Sequence, residues 1–303
     1  MATESKKLVI LALVANMAIA VTKFIAAAIS GSSAMLSEGI HSVVDSGNQV
    51  FLLRGESASR YEATVQHPFG RGKEIFFWGF MVAVFLFVAG GAVSIWEGIS
   101  QIRDPHAHDG TGLWFSLAVL GVAAVLEISV AFRPAVIEFN RRRAGRSVWR
   151  TLKDTKDPSL LVVLFEDSAA VLGLVIAASG LILAAVTENS FWDGLASVLI
   201  GVLLTSVAWL LAVEMKALLI GESATREDRA AIRAAVLSVD EVAYVERVLT
   251  MQLAPHELLV NMEVAFDEGL THEDVERGIV AIEAAVADAV PSATQIFVEP
   301  VDA

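Results

Sequence analysis

Residues 33–53 run SAMLSEGIHSVVDSGNQVFLL, a stretch without Lys or Arg. As an α-helix rising about 1.5 Å per residue it reaches roughly 30 Å, the thickness of a bilayer's hydrocarbon core. Glu38, His41, Asp45 and Asn48 follow one another at spacings of three, four and three. All four therefore project from one helical face, which Ala34 and Leu52 extend at its ends. Ionisable groups at mid-bilayer are costly unless they are paired, hydrated or turned into a bundle. A helix of this kind requires other spans around it.

Those spans are present on either side. Six apolar segments are long enough to cross a membrane: Leu8–Ile29, Ser33–Leu53, Ile75–Ser100, Leu113–Phe139, Ser159–Val186 and Phe191–Ile220. They are separated at Gly31, Arg54–Lys73, Asp104–Pro105, Arg141–Pro158 and Glu188–Asn189. Of all residues 55% are hydrophobic and 19% charged, against about 25% charged in a soluble domain. There is no cysteine, which excludes disulfides and thiolate metal sites. Met1–Lys7 is short and polar and shows no small-residue cleavage signature, so the first span is expected to be retained.

Basic residues orient the spans. Lys6 and Lys7 precede the first; Arg54, Arg60, Arg71 and Lys73 lie between the second and third; Arg141, Arg142, Arg143, Arg146, Arg150, Lys153 and Lys156 lie between the fourth and fifth. The alternate loops hold only Arg103. The excess of Lys and Arg on one side predicts that both termini and both basic loops face the cytoplasm of an inner (plasma) membrane.

From Glu222 onward there are 17 acids and five Arg, a charge of −12, whereas the preceding 221 residues hold 18 acids and 17 bases. The step marks a boundary between a membrane domain, 1–220, and a C-terminal domain, 221–303. An acidic domain does not seek nucleic acid or anionic lipid; the acids keep it soluble and attract cations. Helical periodicity over Arg226–Leu237 is followed by strand-like alternation at Tyr244–Leu253 and Leu258–Phe266, across the turn Ala254-Pro255-His256-Glu257. Thr271, with Asp274 three residues on, caps a helix that runs to Val290 before Pro291, and Gln295–Val301 is a last strand. The order αββαβ suits a small two-layer α+β domain, which pairing with a second copy would help stabilise.

Span five adds Glu166 and Asp167, about eight residues in from Ser159, and neither span two nor span five contains a basic residue. His together with carboxylates suits a borderline divalent ion such as zinc, cobalt or iron. His41 and Asp45, at i and i+4, can clamp one ion from a single helix, and a span-five carboxylate can complete a tetrahedral shell. The alternative is a polar, hydrated bundle interior that binds no metal. Lys23, seven residues after Asn16 on span one, is expected to snorkel at the outer end. Glu97 and Glu127 are deep in spans three and four and receive no assignment. Small residues on one stripe of span three (Gly90, Ser94, Gly98) and of span six (Ser197, Gly201, Thr205) predict close helix packing. His106 and His108 are expected in a solvated outer loop.

Three stretches carry a resemblance: Gly31-Ser32-Ser33-Ala34-Met35-Leu36-Ser37-Glu38-Gly39-Ile40-His41-Ser42-Val43-Val44-Asp45, His67-Pro68-Phe69-Gly70-Arg71-Gly72-Lys73 and Leu218-Leu219-Ile220-Gly221-Glu222. With the six spans and the αββαβ tail, the chain resembles the cation diffusion facilitator family over nearly its whole length. The resemblance implies an α-helical membrane protein of six transmembrane helices followed by a cytoplasmic ferredoxin-like, metallochaperone-like α+β domain. It implies homodimers that export zinc or a related ion in exchange for protons. The family's span-two metal pair falls on His41 and Asp45, and its span-five pair on Val163 and Asp167. Val163 cannot bind metal, so the fourth ligand passes to Glu166 or to water. The wording Phe165-Glu166-Asp167-Ser168-Ala169-Ala170 is similar to that of mitochondrial zinc-transporter relatives. Where well-known exporters hold a second His in the loop after span two, this chain has Arg71; their cytoplasmic metal positions fall on Asn261, His272, Phe297 and Glu299, of which His272 and Glu299 keep ligand chemistry.

The expected function is secondary transport rather than catalysis, with His41, Asp45, Asp167 and Glu166 holding a divalent cation, zinc first and iron, cobalt or manganese admitted. Two rivals are an intramembrane metalloenzyme and a non-transporting metal sensor. The first lacks its His-Glu-x-x-His helix. The second has no use for ligands at mid-bilayer.

Overall fold

The computed structural model describes residues 2–104, 112–143 and 145–301, with 2–15 and 153 by backbone alone. The expected outer loop with His106 and His108 lies outside the described residues. The chain forms two compact units. One comprises the residues up to Gly55 together with Phe77–Met215; the other gathers Glu56–Phe76 with the residues from Lys216 onward.

The first unit is helical. Its helices are α1 (Ala2–Ser30), α2 (Ser33–Ser59), α3 (Glu74–Arg103), α4 (Leu113–Arg143), the short α5 (Val148–Asp154), α6 (Pro158–Thr187) and α7 (Phe191–Ile220), of which the end of α2, the start of α3 and the end of α7 belong to the second unit. Among the described residues α3, α4, α6 and α7 are long and apolar enough to cross a membrane. α2 has 27 residues and the length to do so, but its polar stripe lowers its apolarity. α3 and α4 are each interrupted by a π-helical segment, Leu86–Ala92 and Glu127–Phe132.

The helix ends follow from local chemistry. α1 stops at Gly31, whose φ of 68° is unstrained only without a Cβ, and its N–H closes on the Ala27 carbonyl at 2.8 Å. α6 opens with Pro158 in its first turn, and the Asp157 carboxylate accepts from the Ser159 and Leu160 N–H groups at 3.1 and 3.3 Å. Arg142 donates to that same Asp157 and to Glu138, each at 2.9 Å, which ties the basic connection to the start of α6.

The small stripes of α3 and α7 meet, as their spacing implies. A Cβ on Gly98 would lie 2.6 Å from the Gly194 carbonyl oxygen, and one on Gly201 would lie 2.8 Å from that of Gly91. The backbones are therefore nearly in contact. The Ser197 hydroxyl donates to the Ser94 carbonyl at 2.9 Å across the same seam.

In the second unit α8 (Arg226–Val236) precedes β1 (Val242–Ala254) and β2 (Glu257–Phe266), which pair antiparallel. Then α9 (His272–Ala289) crosses to β3 (Ala293–Val301), parallel to β2. β2 is central, and its buried Leu258, Val260, Met262 and Val264 alternate toward a core that includes Ile232 and Val236 of α8 and Ile282 and Val286 of α9. Segment 56–76 folds with this sheet. Gly72 lies so close to β1 that a Cβ would meet the Leu253 carbonyl oxygen at 2.7 Å, and the Lys73 ammonium donates to the Leu219 carbonyl at 3.4 Å. Arg71 sits over the Tyr61 ring at 5.8 Å and 4.0 Å from Glu74, so its guanidinium is engaged where the resemblance leads one to look for a second metal-binding His.

Two predictions follow from this packing. Gly201→Ala should lower the melting temperature of the purified protein, because overpacking costs about 1–3 kcal/mol; Gly121→Ala, where a Cβ meets nothing within 4 Å, should not. Equal melting of the two variants would contradict the close α3–α7 seam. In α9 the Thr271 hydroxyl and N–H donate to Asp274 at 2.6 and 2.9 Å and hold its carboxyl below the ordinary range. A depressed carboxyl stabilises the fold above its unfolded pKa and loses that contribution as pH falls through its folded value. Asp274→Asn should therefore melt earlier than the parent at pH 7, and the gap should close on acidification.

Candidate metal transport site

The site is built on α2, whose polar face is satisfied at successive levels by different helices. At its N-terminus Asp193 of α7 accepts from the Ser32 hydroxyl at 2.5 Å and from the Ser33 N–H at 2.6 Å. It thereby caps α2 in place of a local residue and sets a negative charge at the positive end of the helix. One turn on, the Ser37 and Ser197 hydroxyls lie 2.6 Å apart.

At the next level Glu38 is 0% exposed and pairs with Lys23 of α1, itself 1% exposed, at 3.0 Å. The same ammonium donates to the Ser42 hydroxyl at 2.8 Å. The expectation that Lys23 snorkels is thus wrong. A buried acid one helix away gives the ammonium a stronger partner than the interface does, and in a low-dielectric interior neither charge is tolerable alone. Spans two and five hold no basic residue of their own, and the cation that pairs with Glu38 comes from span one. Room for the Glu38 carboxylate is made by Gly173 of α6, where a Cβ would collide with it.

Below this pair lie the groups with chemistry to spare. His41 Nδ1 is 3.4 Å from Asp45 Oδ1, as i,i+4 spacing permits. Among the described residues, neither ring nitrogen of His41 nor Asp45 Oδ1 has a hydrogen-bond partner, and all three are buried. Asp167 Oδ2 of α6 is in the same condition. Buried polar atoms are normally satisfied, so these are free to take a cation or a proton. Glu166 differs: the Asn48 amide donates to its Oε1, one turn further along α2.

Of the four expected ligands, His41 and Asp45 come together on α2, and Glu166 and Asp167 approach it from α6. Among the described residues no three His, Asp or Glu side chains close on one point. In the second unit, His272 pairs with Glu276 at 3.5 Å on α9, Asn261 faces Phe297 in the β2–β3 register, and Glu299 faces Glu263. Reasoning from sequence missed three groups: Lys23 as a partner, Asp193 as a cap, and Glu127 of α4, which lines a narrow cleft with Asn16, Ile19, Ser42 and Asp45. The first had a visible signal, a lysine and a glutamate in consecutive apolar spans. The other two had none beyond an acid in a hydrophobic setting.

Residues 9–220 match the family model described as the cation efflux transmembrane domain. The mitochondrial proton-coupled zinc antiporter of Homo sapiens is 29% identical over 245 residues, 81% of this chain and 43% of that protein. The manganese efflux system protein of Bacillus subtilis is 20% identical over 273 residues, 88% of this chain and 86% of that protein. The zinc transporter of Escherichia coli is 31% identical over 96 residues, 32% of this chain and 30% of that protein. This chain thus spans less than half the length of the mitochondrial relative.

The buried pair makes a double-mutant prediction. Lys23→Met leaves Glu38 uncompensated and should destabilise the protein by about 3–5 kcal/mol, whereas Lys23→Met with Glu38→Met should recover most of that. Unfolding of the three variants in detergent measures the coupling; additive losses would mean that the two charges do not depend on each other.

Proposed function

Because the chain belongs to the cation efflux family, the cation diffusion facilitators, we propose that it is a secondary transporter exporting a divalent cation, zinc first, in exchange for protons. The observation that carries this is the cluster of buried groups His41, Asp45 and Asp167, with polar atoms that lack a hydrogen-bond partner among the described residues, on two helices of the bundle. Such groups are costly to keep in hydrocarbon and serve a cation path or a proton relay.

On this reading α1 and α2 span the membrane with the four clearly apolar helices, both termini are cytoplasmic, the membrane is the plasma (inner) membrane, and two copies associate, helped by the C-terminal unit. The cation enters from the cytoplasm and takes His41, Asp45 and Asp167, with Glu166 as the neighbouring carboxylate. Rocking of the bundle turns the site outward. Protons from outside then compete for the same groups, since metal binds only their deprotonated forms. His41 is the natural exchanger, since its imidazole can hold either the cation or a proton. A zinc ion among one imidazole and two or three carboxylates leaves no positive excess, so protonation on release is electrostatically favourable.

The choice of zinc over manganese rests on His41, since imidazole suits zinc whereas manganese favours an all-oxygen shell. A sensor built on the same scaffold is the second reading, and flux separates the two. In proteoliposomes with an acidic trans side, the parent should accumulate zinc faster than without the gradient. Asp45→Ala and Asp167→Ala should each cut the rate by at least about 100-fold while the protein still folds, a loss of roughly 2.7 kcal/mol in transport barrier. Wild-type flux in either variant removes that residue from the path, and absence of flux for every divalent ion tested would leave a sensor.

A further inference from the structure

Without Glu166 the expected ligands His41, Asp45 and Asp167 leave a tetrahedral shell one group short, and Val163, at the family's usual fourth position, is aliphatic and 37% exposed. Glu166 is the nearest replacement in sequence, but its carboxylate already receives the Asn48 amide, and a neighbouring residue on the helix points about 100° away from Asp167.

A second carboxylate shares a cleft with Asp45. Glu127 opens the π-helical segment Glu127–Phe132 of α4. Such segments are uncommon, widen the helix by one residue and are frequent at functional sites. This one packs against α6, the helix of Asp167. Glu127 shares the walls of a narrow cleft with Asp45 and Ser42 of α2 and Asn16 and Ile19 of α1. Glu127 thus shares a cleft with the α2 half of the site while its helical segment packs against the helix that carries the other half. A carboxylate in a membrane helix needs a reason to be there.

We infer that Glu127 is the fourth cation ligand of the transport site, supplying from α4 the carboxylate that Val163 does not supply from α6. The inference rests on the transport reading above and deepens it. It gives the cation one imidazole and three carboxylates from three helices, so that α4 moves with the bound ion. It also assigns Glu166 to a different task, holding Asn48 and with it the register between α6 and α2.

The test is zinc binding to the full chain in detergent, measured calorimetrically at pH 7, with metal-free melting as the check on folding. Glu127→Gln should weaken zinc binding by at least about 10–100-fold, the loss that removal of even an outer partner brings. Asp167→Asn should do the same. Adding Val163→Asp to Glu127→Gln should restore most of the affinity, by returning a carboxylate one turn from Asp167. Glu166→Gln should alter affinity less than Glu127→Gln does. Parental affinity in Glu127→Gln alongside a loss in Asp167→Asn overturns the role of Glu127 and leaves the transport reading standing. Parental affinity in both Asp45→Asn and Asp167→Asn overturns the transport site itself. A loss in Glu127→Gln that tracks a fall in metal-free melting and is not rescued by Val163→Asp makes Glu127 structural. Should Glu127→Gln not fold, Glu127→Asp keeps the charge and shortens the arm: weakened binding upholds the ligand role, and unchanged binding overturns it.

Discussion

The constraint on which the bundle depends is that α2 carries buried charges that an apolar interior does not accept alone. Each polar residue on its face must find a partner inside the protein, and the partners come from different helices. Asp193 of α7 caps its first turn, Lys23 of α1 neutralises Glu38, and Glu166 of α6 takes the Asn48 amide. Hydrophobic burial does not order helices in a bilayer, because lipid is as apolar as Leu. Polar pairing and close backbone approach do so here, the latter through the glycines of α3 and α7.

This division separates scaffold from function. Where two buried groups of opposite charge pair, as Lys23 and Glu38 Oε2 do, they tie α1 to α2. Where buried polar atoms lack a hydrogen-bond partner among the described residues, as at His41, Asp45 and Asp167, the helices gain no such tie from them. On the transport reading proposed above, the two kinds would stand side by side: anchors that preserve the bundle, and groups whose occupancy by a cation or by protons would tip it between two arrangements.

The second unit follows ordinary soluble-domain physics. Its core is aliphatic, its helices are capped by Thr225 and Thr271, and its sheet places the acidic and basic residues outward. Segment 56–76 is held against it by backbone approach at Gly72 and by the Lys73 ammonium. Arg71 is occupied by Tyr61 and Glu74. The Lys73 ammonium thus does the joining, Arg71 is engaged within the segment, and His272 is engaged with Glu276 on its own helix.

Local pattern alone decided much of this protein. The long apolar runs, the common face of Glu38, His41, Asp45 and Asn48, the glycine and serine stripes, and the cap at Thr271 all depend on residues within one or two helical turns of each other, and periodicity records such relations directly. Lys23 was misjudged because its depth was inferred from its place in span one, while its partner stands fifteen residues away on another helix. Asp193 lies 160 residues from the serine it caps, and Glu127 acquires a place near Asp45 only through the packing of α4. Which carboxylate answers which cation is settled by helix neighbours and their rotation, and no spacing along a single chain encodes the distance between two helices.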